Sequence, residues 1–159
     1  MYGRRILLAL AAATLTLVVA ACGGGGGGGG GSGAPHRSAV GKPLHVFHVQ
    51  LSGRQVVTPK GAPGGTGAAV IALHHHAVVC FRFAHLHGFT EPTTAALHQA
   101  PTGKRGPVVL ELSRGTVLRH HGCVRAHRAL GAALERSGSG YYVEIDSHQY
   151  PQGAVRGAL

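Results

Sequence analysis

The sequence predicts an all-β fold, an antiparallel, Greek-key-like sandwich or barrel with one short helix near residues 123–136. Three observations lead to this prediction. Short runs alternate apolar and polar residues with the two-residue period of a strand. Clusters rich in Gly and Pro separate these runs at fairly regular intervals, as turns do in sandwiches and barrels. One segment, Cys123–Arg136, instead has its apolar residues at helical spacing.

The first half of the domain contains three predicted strands. HVFHVQLSG at 45–53 alternates, so its apolar residues share one face. A loop rich in Pro and Gly follows at 54–67. Two strands at 66–73 and 77–86 then flank a turn that carries His74, His75 and His76.

The second half is less regular until its end. Residues 88–107 are rich in Pro, Thr and Gly and contain no predicted element, whereas VVLELS at 108–113 is a predicted strand. The segment 115–122 is ambiguous. After the helix, YYVEIDS at 141–147 and AVRGAL at 154–159 are strands joined by a turn at PQG.

The N-terminal segment has the pattern of a secretory signal. MYGRRILLALAAATLTLVVAAC begins with two arginines and continues with an apolar stretch that is short for a membrane span. Its ending, VAAC, resembles the lipobox of bacterial lipoproteins, in which the cysteine is lipidated and becomes the new N-terminus. We therefore predict a lipoprotein signal peptide at residues 1–21 and lipidation of Cys22. The alternative is an ordinary cleaved signal, with Cys22 free or removed.

Residues 22–43 are predicted to be the lipidated cysteine and a flexible tether. Nine consecutive glycines at 23–31 provide no side chains from which a core can be built. Two acyl chains on one cysteine anchor a protein stably. The sequence thus predicts an exported protein, lipid-anchored to the outer face of the bacterial cell membrane, with a β domain at 44–159.

The net charge of the chain indicates the classes of partner that it is expected to bind. The chain carries a net charge of +10, and loss of residues 1–21 removes two arginines and no acid, which leaves +8. Such a domain is suited to a membrane surface, to anionic envelope polymers or to an extracellular protein, although the charge is equally compatible with solubility alone. No nucleic acid partner is expected, because basic residues are scattered and aromatic residues are few.

Cys80 and Cys123 are the cysteines that remain besides Cys22. Export places an even pair in an oxidising compartment, so the two predict a disulfide. Two buried free thiols are the alternative. A thiol nucleophile or a metal thiolate is disfavoured, since neither cysteine belongs to a CxxC-type pair.

Motifs for catalysis are sparse. No Gly-x-Ser-x-Gly occurs, and the five acidic residues leave most histidines without an orienting partner. The glycine run lacks the lysine and the strand–helix context of a phosphate loop. We predict no catalytic residue and expect no enzymatic activity.

Four segments carry a family likeness: FHVQLSGRQVV, GGTGAAVIAL, TAALHQAPTGKRGPVVLEL and YYVEIDSHQYPQGAVRGAL. Over nearly all of residues 46–159 they resemble the CHRD domain, which is named for its occurrence in chordin and is found in bacterial exported proteins. In chordin these modules belong to an extracellular antagonist of growth-factor signalling, so the resemblance implies an extracellular interaction module. Three departures, Val56, Ala96 and Asp146, replace an acid and two histidines of the family pattern and deplete any site built from those imidazoles.

The strongest likeness is in the C-terminal segment, which predicts a closing hairpin. Gly153 supplies the turn, and Arg156 is expected to form a bidentate pair with Glu144 or Asp146 across the hairpin. We predict a structural role for the hairpin residues, which are Tyr141, Tyr142, Glu144, Gly153, Arg156 and Gly157.

Thirteen histidines raise an alternative function, binding of copper or zinc. On a strand His85 and His87 would point to one face, with His98 as a third ligand and Asp146 as a fourth. This set is similar to copper–zinc superoxide dismutases in architecture only. A further alternative is an envelope protein whose histidines titrate on acidification. The leading interpretation has no cofactor and predicts binding or scaffolding at the cell surface.

Overall fold

Alternating apolar residues build eight strands around one core. The computed structural model describes residues 41–57 and 59–159. Its strands are β1 (His45–Ser52), β2 (Thr66–His74), β3 (Val78–His87), β4 (Pro92–Gln99), β5 (Val108–Ser113), β6 (His121–Arg125), β7 (Tyr141–Ser147) and β8 (Val155–Ala158). The predicted signal peptide, Cys22 and nearly all of the tether lie outside the described residues.

The eight strands form one antiparallel sheet in the order β5-β4-β7-β8-β1-β2-β3-β6. The two ends of this order approach each other just before β6. There the backbone N–H of Arg119 donates to Ser113 Oγ over 2.9 Å, and its Nη2 donates to Leu112 O over 3.2 Å. The sheet is therefore nearly closed, which confirms the predicted antiparallel sandwich or barrel with one short helix.

The core lies inside this sheet and collects one face of each strand. Phe47, Val49 and Leu51 of β1 are buried there, as the alternation predicted. Ile71 and Val143, on other strands, are also fully buried. Each such side chain contributes about 1.5–3 kcal/mol on burial, so the core is the main source of stability.

The strand β4 was not predicted. It lies within the segment 88–107 and pairs with β5 on one side and β7 on the other. Ala95 and Leu97 are buried in the core, while Thr93, Thr94, His98 and Gln99 give the strand a largely polar sequence. Position between two partners outweighs the weak local preference of this sequence for a strand.

The predicted helix begins later than the sequence indicated. Within the described residues there is one α-helix, α1 (Arg128–Arg136), and His127 caps it by accepting the N–H of Ala129 at Nδ1 over 3.3 Å. Cys123 lies instead in β6, because pairing with β3 holds this segment extended. No helix among the described residues is both long and apolar enough to cross a membrane.

The predicted disulfide is present. Cys80 of β3 and Cys123 of β6 are direct partners in the ladder, with their Cα atoms 3.9 Å apart. The bond spans 43 residues of sequence. In the chain-entropy model a loop of this length stabilises the fold by about 4 kcal/mol. The link therefore holds the edge strand β6 on the sheet.

Candidate functional site

Along β7 and β8 both faces of the sheet are buried, the outer face as well as the inner one. On β7, Val143 and Ile145 point into the core, so the residues that alternate with them point outward. These outward residues, Tyr142 and Glu144, are nevertheless only 2% and 4% exposed. Loops must therefore cover this part of the sheet.

One cover is the loop between β4 and β5, residues 100–107, which we call the covering loop. Three outward side chains hold it. His98 Nδ1–H donates to Gly106 O over 3.0 Å, the Gly106 N–H donates to Tyr142 Oη over 3.0 Å, and Arg156 Nη2 donates to Lys104 O over 2.7 Å. Only glycine fits at position 106, since a Cβ there would lie 1.8 Å from Gln99 O.

The same side chains form a stack. The His98 and Tyr142 rings lie 4.8 Å apart between centroids and 10° from parallel, because the two residues are direct partners in the β4–β7 ladder. On Tyr142 the Arg156 guanidinium carbon lies 3.2 Å from the ring centroid. A desolvated cation–π contact of this kind contributes roughly 2 kcal/mol. The stack fixes the orientation of the Arg156 guanidinium.

Two carboxyl groups complete what we call the outer-face cluster: His98, Tyr142, Glu144, Asp146 and Arg156. Glu144 Oε1 lies 3.9 Å from His98 Nε2. Asp146 Oδ2 accepts a hydrogen bond from Thr94 Oγ1 over 2.6 Å. The cluster thus concentrates titratable groups in a covered layer of the sheet.

Burial dominates the protonation of these groups. It raises the pKa of Glu144 to about 7, with a further contribution from Asp146 and a partial offset by Arg156. Burial also raises the pKa of Asp146 and lowers the pKa of His98. His98 is therefore neutral at pH 7, and the Glu144 carboxyl gains and loses its proton near that pH.

The predicted hairpin is present, but the predicted ion pair is not. The β7–β8 register places Glu144 opposite Arg156, and Gly157 opposite Val143. Gly153 lies in the turn with φ +119°, a conformation that favours glycine. Within the described residues, however, Arg156 forms no ion pair with Glu144 or Asp146, because its guanidinium is directed to the Tyr142 ring and the Lys104 carbonyl.

The predicted metal ligands are not brought together. In the described ranges no group of three His, Cys, Asp or Glu side chains is arranged to hold a metal ion. His85 has φ 53° at a bulge, where Ala84 pairs with Ala68 and His87 with Thr66, so the regular register that the prediction assumed is interrupted there. Both are exposed on β3, which is not a neighbour of β4 and its His98.

A groove with a volume of about 1030 Å³ opens beside the outer-face cluster. Its floor includes Tyr142 and Arg156, the two cluster residues that reach it. Its walls come from three loops, at 53–57 with 60–63, at 100–103 in the covering loop and at 137–140. The groove is thus built by segments far apart in sequence.

The lining of the groove is apolar and positively charged. Among the described residues, its charged side chains are Arg54, Lys60 and Arg156, and no acidic side chain lines it. Sequence reasoning missed Arg54 and Lys60, as well as the covering loop. The available signal was the alternation in β7, which puts Tyr142 and Glu144 in one polar row, but their burial depends on loops.

The fold and this site define a small antiparallel β module with one helix, a covered polar cluster and an adjacent groove. The model of the CHRD domain family matches residues 47–159, and the chain belongs to this family. A search among curated proteins found no match, and a search among solved structures found none either.

Proposed function

We propose that this CHRD domain is a non-catalytic binding module, held at the outer face of the cell membrane by lipid on Cys22, and that the groove is its binding site. The observation that carries the proposal is the preformed groove of about 1030 Å³. This volume is at the upper end of the usual range for small-molecule sites, roughly 300–1,000 Å³.

The groove is preorganised, which supports a binding role. The covering loop contributes Thr102 and Gly103 to the lining, and three hydrogen bonds from the outer-face cluster fix that loop. A ligand that enters need not order the loop, so less of its interaction free energy is lost on binding.

The position of the titratable groups argues for binding over catalysis. His98, Glu144 and Asp146 are not among the described residues that line the groove. A general acid or base must come within hydrogen-bonding distance of the reacting atom. In the proposed module these three groups support the floor of the groove.

The proposed lipid anchor on Cys22 is tested in cells. In the native host, we expect the wild-type chain in the membrane fraction, accessible to protease added outside intact cells, with a diacylated N-terminal peptide at Cys22 by mass spectrometry. Cys22→Ala removes the thiol that is modified and is expected to release the chain from the membrane. Recovery of unmodified wild-type chain from the cytosol contradicts the tether.

The groove is tested by filling it. Thr102 and Ser139 are exposed and line the groove, so Thr102→Trp combined with Ser139→Trp occupies it. Thr116→Trp, at an exposed site outside the lining, is the matched control. Native mass spectrometry of protein released gently from envelopes should detect a co-bound species with the wild type and the control, and not with the filled groove. The same added mass in all three proteins, or none in any of them, contradicts a binding groove.

A further inference from the structure

We infer that the groove binds an amphiphilic carboxylate, with the carboxylate at Arg156 and the apolar body along the wall formed by Val56 and Val57. The inference rests on the proposed function, because it takes the groove to be the binding site. It adds the chemical class of the ligand.

Arg156 has unused hydrogen-bond donors. A guanidinium offers five N–H groups, and Arg156 makes one hydrogen bond among the described residues, from Nη2 to Lys104 O. In the described residues no buried side-chain nitrogen or oxygen lacks a partner. The Arg156 nitrogens without a partner are therefore in contact with solvent, and the residue lines the groove.

The Arg156 guanidinium is also held in a fixed orientation before an anion binds. Its contact with the Tyr142 ring and its bond to Lys104 O fix its orientation before any ligand arrives. A fixed, weakly hydrated and permanently charged group binds a carboxylate with little further cost in entropy or desolvation. The side chain is only 5% exposed, so solvent screens the interaction less than at the surface.

The walls add positive charge of the same sign. Arg54 and Lys60 are exposed residues of the β1–β2 loop that line the groove, and the part of the lining that the structure describes contains no acidic side chain. A cleft with charge of one sign attracts a ligand of the opposite sign. The ligand is therefore an anion.

The carboxyl group of Glu144 favours an anion of low charge. Glu144 lies opposite Arg156 in the hairpin register and retains part of its negative charge near pH 7. A second negative charge at Arg156 would be repelled by this carboxylate. A carboxylate satisfies this condition, whereas a phosphate monoester, which carries nearly two charges at pH 7, does not.

The remaining lining requires an apolar body. Val56 is 5% exposed and Val57 is 37% exposed, and Phe47 and Leu159 also reach the groove. A polyanion would bind through a row of cationic side chains and would gain no binding free energy from this apolar wall. An alkyl or similar body is stabilised there because it removes apolar surface from water.

The arrangement predicts tighter binding at lower pH. Four groups act on Glu144: His98 from β4, Asp146 on β7, Arg156 from β8 and Arg105 of the covering loop. When Glu144 is protonated it no longer repels a bound anion, so affinity rises as pH falls from 8 to 6, through the pKa of about 7. Glu144→Gln is expected to remove most of this dependence.

The test uses isothermal titration calorimetry on the exported chain carrying Cys22→Ser, which has no lipid of its own. The probe is sodium decanoate below its micelle-forming concentration. Decanol lacks the charge, decyltrimethylammonium reverses it, and acetate lacks the apolar body. We expect saturable one-to-one binding of decanoate. Each of the three control compounds should bind more weakly by about tenfold or more.

Charge reversal at the rim locates the site. Arg54→Glu with Lys60→Glu should weaken decanoate binding by about tenfold, because two nearby attractive charges become repulsive. Arg82→Glu with Arg128→Glu changes the charge equally at exposed residues outside the groove and should leave binding unchanged. Arg156→Lys tests the floor directly, and the rim variants keep the test valid if this buried change impairs folding.

Two results overturn the inference. One is equal binding of decanoate, decanol and decyltrimethylammonium, which would mean apolar contact alone. The other is decanoate binding that the rim variants do not weaken. If decanoate fails to bind while the filled groove still abolishes the co-bound envelope species, the ligand class is wrong and the binding function stands.

Discussion

The substitution Glu144→Gln isolates the main electrostatic feature of the outer-face cluster. Glu144 is 4% exposed, and burial raises the pKa of its carboxyl from 4.5 to about 7 in the folded state. The native state thus holds the proton more tightly than the unfolded chain does. The corresponding stability is fully present below about pH 4.5 and is lost as pH rises through about 7.

The magnitude follows from the two pKa values. One pKa unit corresponds to about 1.4 kcal/mol, so a rise from 4.5 to about 7 makes the ionised Glu144 unfavourable by roughly 3 kcal/mol. Glutamine has nearly the same shape and no charge. We therefore expect Glu144→Gln to raise the free energy of unfolding by about 3 kcal/mol at pH 8.5 relative to the wild type, and to have little effect at pH 4.5.

Urea denaturation of both proteins across this pH range measures the difference. The comparison cancels most of the titration of Asp146 and His98, which are common to both proteins. A difference that is constant with pH would refute the buried, proton-retaining state of Glu144. So would a variant that is less stable at pH 8.5, because that result would mean that the ionised carboxylate is stabilised in the fold.

Three further predictions follow from the same contacts. Tyr142→Phe leaves the N–H of the half-buried Gly106 without its 3.0 Å acceptor and should cost about 1 kcal/mol in urea denaturation, with faster amide exchange in the covering loop. Unchanged exchange at Gly106 would contradict the role of Tyr142. Gly106→Ala places a Cβ 1.8 Å from Gln99 O and should displace the covering loop and weaken decanoate binding; a variant as stable and as active in binding as the wild type would argue against this close approach. Cys80→Ala with Cys123→Ala should lower the free energy of unfolding by about 2–5 kcal/mol. If a reductant leaves the melting temperature of the wild type unchanged, the disulfide does not stabilise the fold.

Much of the fold could be predicted from periodicity because several strands, such as β1, have one apolar face. Phe47, Val49 and Leu51 indicate β1 without further information, and the closing hairpin is evident in the same way. The strand β4 has no such local signal, since Ala95 and Leu97 alone reach the core. Its structure depends on pairing with two strands that are distant in sequence.

The helix boundary and the metal set failed for related reasons. Helical spacing extended back to Cys123, but the ladder with β3 and the disulfide hold this residue in a strand. Alternation placed His85 and His87 on one face, but a bulge at His85 interrupts it. Neither tertiary pairing nor a bulge at a non-glycine residue has a clear signature in a single sequence.

The candidate site was predicted in part. The C-terminal likeness identified Tyr142, Glu144 and Arg156 as hairpin residues, and the register places Arg156 opposite Glu144, one of the two acids considered. Their function as a covered cluster could not be derived, because an outward polar row looks the same whether solvent or a loop covers it. The loop that covers it becomes visible only through its contacts with Gly106 and Lys104.

The most direct test of the central claim, that Arg156 on the groove floor receives a carboxylate, is the side-chain Nε–H resonance of Arg156 in a ¹⁵N-labelled chain titrated with decanoate. The account predicts a saturable shift of this resonance, together with the Gly103 amide on the groove wall, and no shift at His75 in the distant β2–β3 turn. Shifts confined to other surfaces, with the Arg156 resonance unchanged at saturation, would contradict it.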